Sequence, residues 1–262
     1  MADTRRNGVL VQSETVTIET WVDGEGPAFV ILPSYGRDSG EDYDAFVGYL
    51  TRAGWKVLRP QPRGIAGSKG PMSGDSLHDL ADDVALCIRR LGNGSAVALG
   101  HAFGHAVALM TATNHPDLVR AVVVAASQAA HAPEDIAKTP LMIGDPSVPE
   151  AERLAALKRA FFAPGHDARP WLDGWYPETL RMQHGAAQTV VRPDYWNSGG
   201  VPLLDLIGAN DPFRPKKSWD EVRNQFGARV TTVIIEDASH ALFPEQPKAV
   251  ADAVLTWAAR YR

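Results

Sequence analysis

The sequence predicts an α/β fold in which a mostly parallel sheet is covered by helices on both faces. Three observations carry this prediction. Short, nearly continuous apolar runs, such as "AFVIL" at 28–32 and "AVALG" at 96–100, are the pattern of strands buried on both sides. Stretches with helical spacing alternate with them, as they must where parallel strands are joined by crossovers. With 262 residues, 45% of them apolar and 22% charged, the chain can bury one large core.

The elements follow in order. "ETVTIETWVDG" (14–24) alternates polar and apolar residues and ends at Asp23-Gly24, which predicts a half-buried strand lying antiparallel at an edge. "AFVILPS" (28–34) is a buried strand. "YDAFVGYLTRAG" (43–54) has helical spacing and stops at Gly54, and the strand "WKVLRPQ" (55–61) follows. "SLHDLADDVALCIRRLG" (76–92) opens with Ser76 as N-cap and Asp79 in the capping-box place, and closes at Gly92. Then come the strand "AVALG", the helix "FGHAVALMTATNHP" (103–116) and the strand "RAVVVAAS" (120–127). Beyond a long break, "VPLLDLIGA" (201–209) is a strand, "KKSWDEVRNQFG" (216–227) a helix, "RVTTVIIED" (229–237) a strand and "PKAVADAVLTWAARYR" (247–262) a closing helix.

The break is too long for a structureless loop. It holds two helical stretches, "PEAERLAALKRAFF" (149–162) and "YPETLRMQHGAAQTV" (176–190), and many aromatic residues. An aromatic-rich helical insertion between core strands reads as a lid, residues 129–199, over a core made of 1–128 and 200–262. Its rings either pack the lid onto the body or line a pocket.

Net charge is −5 and no Lys/Arg run occurs, which argues against nucleic acid and anionic membranes as partners. No run of about 18 apolar residues is present to span a bilayer. The start, "MADTRRNGVLVQSETV", has neither an apolar leader nor a cleavage site, so a cytoplasmic location is expected. Cys87 has no second cysteine to pair with, and within "LADDVALCIRRL" it reads as a buried helix-face residue. No histidine spacing suits a metal, "GIAGSKG" lacks the phosphate-loop spacing, and no dinucleotide fingerprint occurs. Neither metal nor cofactor is expected. Nothing in the patterning sets an oligomeric state.

The chemistry gathers at "LGHAFGHAV" (99–107), where a strand turns into a helix around G-x-A-x-G. Gly100 and Gly104 let the two backbones pass, and Ala102 takes the strained central place. The Phe103 N–H then lies at a helix N-terminus, where it can stabilise an oxyanion. Five segments in this order resemble the α/β-hydrolase superfamily: "LPSYGR" (32–37), "PRGIAGSKGP" (62–71), "GHAFGH" (100–105), "GANDPF" (208–213) and "ASHALFPEQP" (238–247). The nearest likeness is to bacterial esterases, haloperoxidases and C–C hydrolases.

The resemblance implies an eight-stranded sheet with a lid between the sixth and seventh strands. It places Ala102 where relatives carry a nucleophilic serine, Asp211 as the acid and His240 as the base. The oxyanion donors would be the Phe103 and Tyr35 amides, although Pro33-Ser34 replaces the His-Gly pair that precedes the second donor in many relatives. The other acid position, after the sixth strand, holds Ser127-Gln128 and no carboxylate. His101 is expected to be structural. Ser34, His105, Trp171, Trp175 and Trp196 are the expected substrate contacts, with packing the competing role for His105 and the tryptophans.

Three readings of Ala102 stand side by side. The chain is a serine enzyme silenced by substitution; or alanine is native and the His240–Asp211 dyad works as a general base without a covalent intermediate; or the fold has become a small-ligand receptor. The expected function is hydrolysis of a small, largely apolar ester, lactone or related carbonyl compound. A cofactor-independent lyase or oxygenase using His240 as base is the alternative enzyme.

Overall fold

In the computed structural model, which describes residues 8–262, the apolar runs become the strands β1 (Gly8–Gln12), β2 (Thr17–Asp23), β3 (Ala28–Leu32), β4 (Lys56–Pro60), β5 (Ala96–His101), β6 (Val119–Ala125), β7 (Leu203–Gly208) and β8 (Val230–Ile235). The residues before Gly8, on which the reading of the leader rests in part, lie outside the described residues. The strands form one sheet in the order β1-β2-β4-β3-β5-β6-β7-β8. From β4 onward all pairs are parallel, whereas β2 runs antiparallel to both β1 and β4.

One expectation is corrected here. The alternating strand β2 is not the edge; β1 lies outside it. Only Val11 of β1 is buried, so its five residues carry almost no periodic signal.

The body helices are α1 (Glu41–Arg52), α2 (Leu77–Leu91) and α3 (Gly104–Asn114). The capping box of α2 forms as read: the Asp79 amide donates to Ser76 Oγ, and the Ser76 amide donates to the Asp79 carboxylate. Cys87 of α2 is fully buried, and Thr20 Oγ1 donates to its sulfur. Helices α2 and α3 cover one face of the sheet through a core that includes Val30, Leu58, Ala98 and Val122. The other face is covered by α1 and the C-terminal helix around Phe29, Val97, Val123 and Leu206.

Between β6 and β7 stand α4 (Glu134–Ala137), α5 (Thr139–Ile143), α6 (Glu150–Ala160), α7 (Pro177–Ala187) and α8 (Arg192–Trp196). Their aromatic residues go two ways. Phe161, Phe162 and Trp171 form a small separate core with Phe213, while Trp196 joins the main core under α3. After β7 come α9 (Glu221–Phe226), α10 (Leu242–Glu245) and α11 (Pro247–Ala258). Among the described residues, no helix is long and apolar enough to cross a membrane.

Strand order reverses between β3 and β5. Open α/β sheets place their ligand crevice outside the carboxyl ends of the strands at such a switch point. The loops leaving β3 and β5 carry Ser34-Tyr35 and Ala102-Phe103.

Candidate active site

The turn after β5 is held by contacts that tolerate no side chain at either glycine. A Cβ on Gly100 would lie 2.2 Å from the Gly104 carbonyl oxygen, and one on Gly104 would lie 2.3 Å from that of Leu32. Ala102, between them, adopts φ +48°, a left-handed conformation that L-residues rarely take. Its amide donates to the Ala125 carbonyl (2.9 Å), so strand pairing persists up to the bend and the Ala102 methyl is left at the cavity wall. Phe103 is the N-cap of α3. Among the described residues, neither its amide nor that of Tyr35 has a protein acceptor, which leaves both free to meet a developing negative charge. The two rings stack at 4.2 Å, tying the β3 loop to the turn. That loop is braced from α7, where Gln183 Oε1 accepts the Gly36 amide at 2.7 Å.

The candidate base and acid, His240 and Asp211, come from the loops after β8 and β7. His240 Nδ1 lies 3.0 Å from Asp211 Oδ2, and both residues are buried. Asp211 Oδ1 accepts the Phe213 amide (2.8 Å), which fixes the carboxylate plane. An ionised carboxylate only accepts, so Nδ1 carries the proton and Nε2 is left as the basic nitrogen. The ring is confined by Phe213 (4.2 Å between centroids) and by Phe161, edge-on at 5.1 Å. His101 braces the same loop: its Nε2–H donates to the His240 carbonyl (2.7 Å), and its Nδ1 accepts from Tyr43 Oη (2.8 Å).

Ala102 and His240 face one cavity of about 300 Å³, together with Ser34, Tyr35, Phe103 and His105. His105 Nδ1–H donates to the Ala102 carbonyl, so its Nε2 is an acceptor. None of the three expected tryptophans is among the residues that line this cavity. Trp171 is buried, donates Nε1–H to Asp42 and carries the Arg37 guanidinium on its face at 4.3 Å. Trp175 donates to the Trp171 carbonyl, and Trp196 stacks on Phe226 beneath α3. All three pack against protein groups, and Trp196 also carries the Arg192 guanidinium.

Gln128, Arg192 and Tyr195, at the two ends of the insertion, also line the cavity and were not among the expected substrate contacts. "VRPDYW" was the available signal, an arginine embedded among aromatic residues. Ser127, at the second acid position, accepts from Arg214 Nη1 (2.7 Å). Arg214 Nη2 in turn pairs with Asp205 at 2.9 Å, and both side chains are wholly excluded from solvent. Burial pushes the Asp205 carboxyl up to about 6, against the pull of Arg214. Among the described residues, no group of three His, Cys, Asp or Glu comes together that could hold a metal ion.

With this geometry in place, comparison with known proteins assigns the family. The sequence profile of the alpha/beta hydrolase fold family matches residues 27–247. The chain belongs to the α/β-hydrolase family. A 2-(acetamidomethylene)succinate hydrolase from Mesorhizobium japonicum is 43% identical over 108 residues, which cover 41% of this chain and 38% of that protein. The match thus spans well under half of that relative's length. An esterase from Exiguobacterium antarcticum superposes with a TM-score of 0.79 at 18% identity, over 96% of this chain and 99% of that one. An E-2-(acetamidomethylene)succinate hydrolase structure superposes with a TM-score of 0.72 at 18% identity, over 97% of this chain and 100% of that one. At these identities the structural matches show the fold.

Two buried imidazoles make this α/β-hydrolase fold acid-sensitive. Burial pushes the pKa values of His101 and His105 down to about 3. The unfolded chain protonates these histidines near pH 6.5, the folded protein only near 3, so the unfolded state binds more protons between those values. The stability that neutral burial leaves intact at pH 7 is therefore lost as pH falls through this window, by about 2 kcal/mol per histidine at pH 5. Denaturant melts at pH 7, 6 and 5 should show this loss, and the acid slope should be shallower in His105→Gln.

Proposed function

We propose that this protein hydrolyses a small ester, lactone or related carbonyl compound, and that it does so without a covalent acyl-enzyme. His240, oriented by Asp211, takes a proton from water as the water attacks the carbonyl; the Phe103 and Tyr35 amides receive the oxyanion; its collapse breaks the acyl C–O bond, and the leaving alkoxide takes the proton back from His240. Ala102 marks where a serine would stand, and its methyl leaves that part of the wall to the attacking water. The helices of residues 129–199 act as a lid, with Phe161 confining the base from above. The observation that carries this reading is that His240, held by Asp211, and the left-handed turn at Ala102 line one cavity. A receptor has no use for an imidazole fixed in one tautomer by a buried carboxylate.

General base catalysis supplies about 10²–10⁴-fold. That suffices for an activated carbonyl such as a strained lactone. The family assignment and a partial relative named as a hydrolase support hydrolysis over the alternative chemistries. The test is a panel of short esters and lactones with product analysis and dissolved-oxygen recording. Acid and alcohol products with no oxygen uptake are expected; oxygen consumption or an unhydrolysed cleavage product would assign the dyad to oxygenase or lyase chemistry instead.

A further inference from the structure

Among the described residues, the cavity is lined by one fixed charge. Of the residues that face it, Arg192 alone is permanently ionised, and no Asp or Glu is among them. Its guanidinium carbon sits over the Trp196 ring, 4.3 Å from the ring centroid, a contact that holds it without neutralising it. Its hydrogen bond to protein is a single 3.3 Å contact from Nη2 to the Gln128 carbonyl. Among the described residues, no carboxylate lies within ion-pair distance of it. The nearby acids are committed elsewhere: Glu221 Oε2 accepts the Ala130 amide, and Asp205 is paired with Arg214. Partial burial disfavours the charge, so its retention without a partner is a cost that the folded chain carries. A guanidinium has five N–H donors in a fork that matches a carboxylate, and most of these are unused here.

We propose that Arg192 is the anion-recognition group of the cavity and that the substrate is a carbonyl compound bearing a carboxylate. Held over Trp196, the fork takes the carboxylate in a two-point contact, with the Tyr195 side chain on the same wall. The reacting carbonyl then reaches the Ala102 turn and His240 on another wall of the same cavity. The largely apolar carbonyl compound expected from the sequence is thereby narrowed to one that also carries an anionic end. The inference rests on the hydrolase reading for the reaction, but not for the binding.

Its test has two arms. Succinate binding is measured by calorimetry for the unmodified chain, Arg192→Gln and Arg192→Lys. The ratio of kcat/KM for monomethyl succinate over dimethyl succinate is measured for the same three proteins. Loss of a charge-assisted contact weakens succinate binding about ten- to hundredfold in Arg192→Gln and lowers the ratio by a similar factor. Arg192→Lys, which keeps the charge and loses the fork, falls between. No succinate binding by the unmodified chain, or equal binding in Arg192→Gln, overturns the proposal. A ratio unchanged in Arg192→Gln also overturns it, since that marks a packing role alone. If no ester is turned over by any form, the hydrolase reading fails while the binding arm still decides the role of Arg192.

Discussion

Replacing His240 by alanine is expected to lower kcat/KM on any substrate of this protein by about 10²–10⁴-fold, the contribution of one positioned general base. The loss falls on the chemical step, because the ring is the only histidine in the cavity held by a carboxylate. His105 cannot substitute: burial pushes its pKa down to about 3, which makes it a poor proton acceptor at neutral pH. The fold is expected to survive, since His101 grips the His240 carbonyl and not its ring. His240→Gln fills the same space between Phe161 and Phe213 and should show the same kinetic loss with a melting temperature close to that of the unmodified chain. Steady-state rates on the ester and lactone panel check this, and retention of activity within about threefold in both variants would remove His240 from the mechanism.

The largest effect on stability is expected at Arg214. Its guanidinium meets Asp205, Ser127 and the Ser218 carbonyl in a region closed to solvent. Asp205 Oδ1 already lacks a hydrogen-bond partner, so Arg214→Met would strand a buried carboxylate with nothing to stabilise it. Breaking such a pair costs about 3–5 kcal/mol. For a chain of this size that is a fall in melting temperature on the order of 10 °C. The same change loosens the loop that carries Asp211, whose carbonyl accepts the Arg214 amide, so activity should fall with stability. Combining it with Asp205→Leu removes the stranded charge and should recover most of the melting temperature. A shift below about 2 °C in the single variant would show that water or local relaxation already satisfies the carboxylate.

How much of this was legible in the sequence depended on whether the signal was local. The turn at Ala102 is written in two glycines spaced to let backbones pass, and each clashes in the structure as that reading requires. Asp211 and His240 were named from the resemblance of "GANDPF" and "ASHALFPEQP" to the family, and both lie in loops that follow strands β7 and β8. The α2 cap was likewise contained in four consecutive residues. Strand β1 escaped because a short edge strand with one buried residue has no period to detect. The tryptophans were misplaced for a different reason: bulk and apolarity say that a ring will be buried, not what it is buried against. Trp171 was claimed by Arg37 and Asp42, partners far away in the chain. Arg192 was missed because it acts from a helix of five residues, α8, whose neighbour across the cavity is the loop after β6. A long side chain reaching from one segment to another leaves no spacing to read.

In the proposed mechanism the His240–Asp211 pair works on water without a covalent nucleophile. The decisive measurement is side-by-side turnover of the unmodified protein and of Ala102→Ser, with rapid quenching and mass measurement of the protein. The account predicts turnover by the alanine protein with no acyl adduct and no burst. A burst and an adduct on residue 102 are expected only in the serine variant. Turnover confined to the serine variant would contradict the claim and identify Ala102 as a silenced nucleophile.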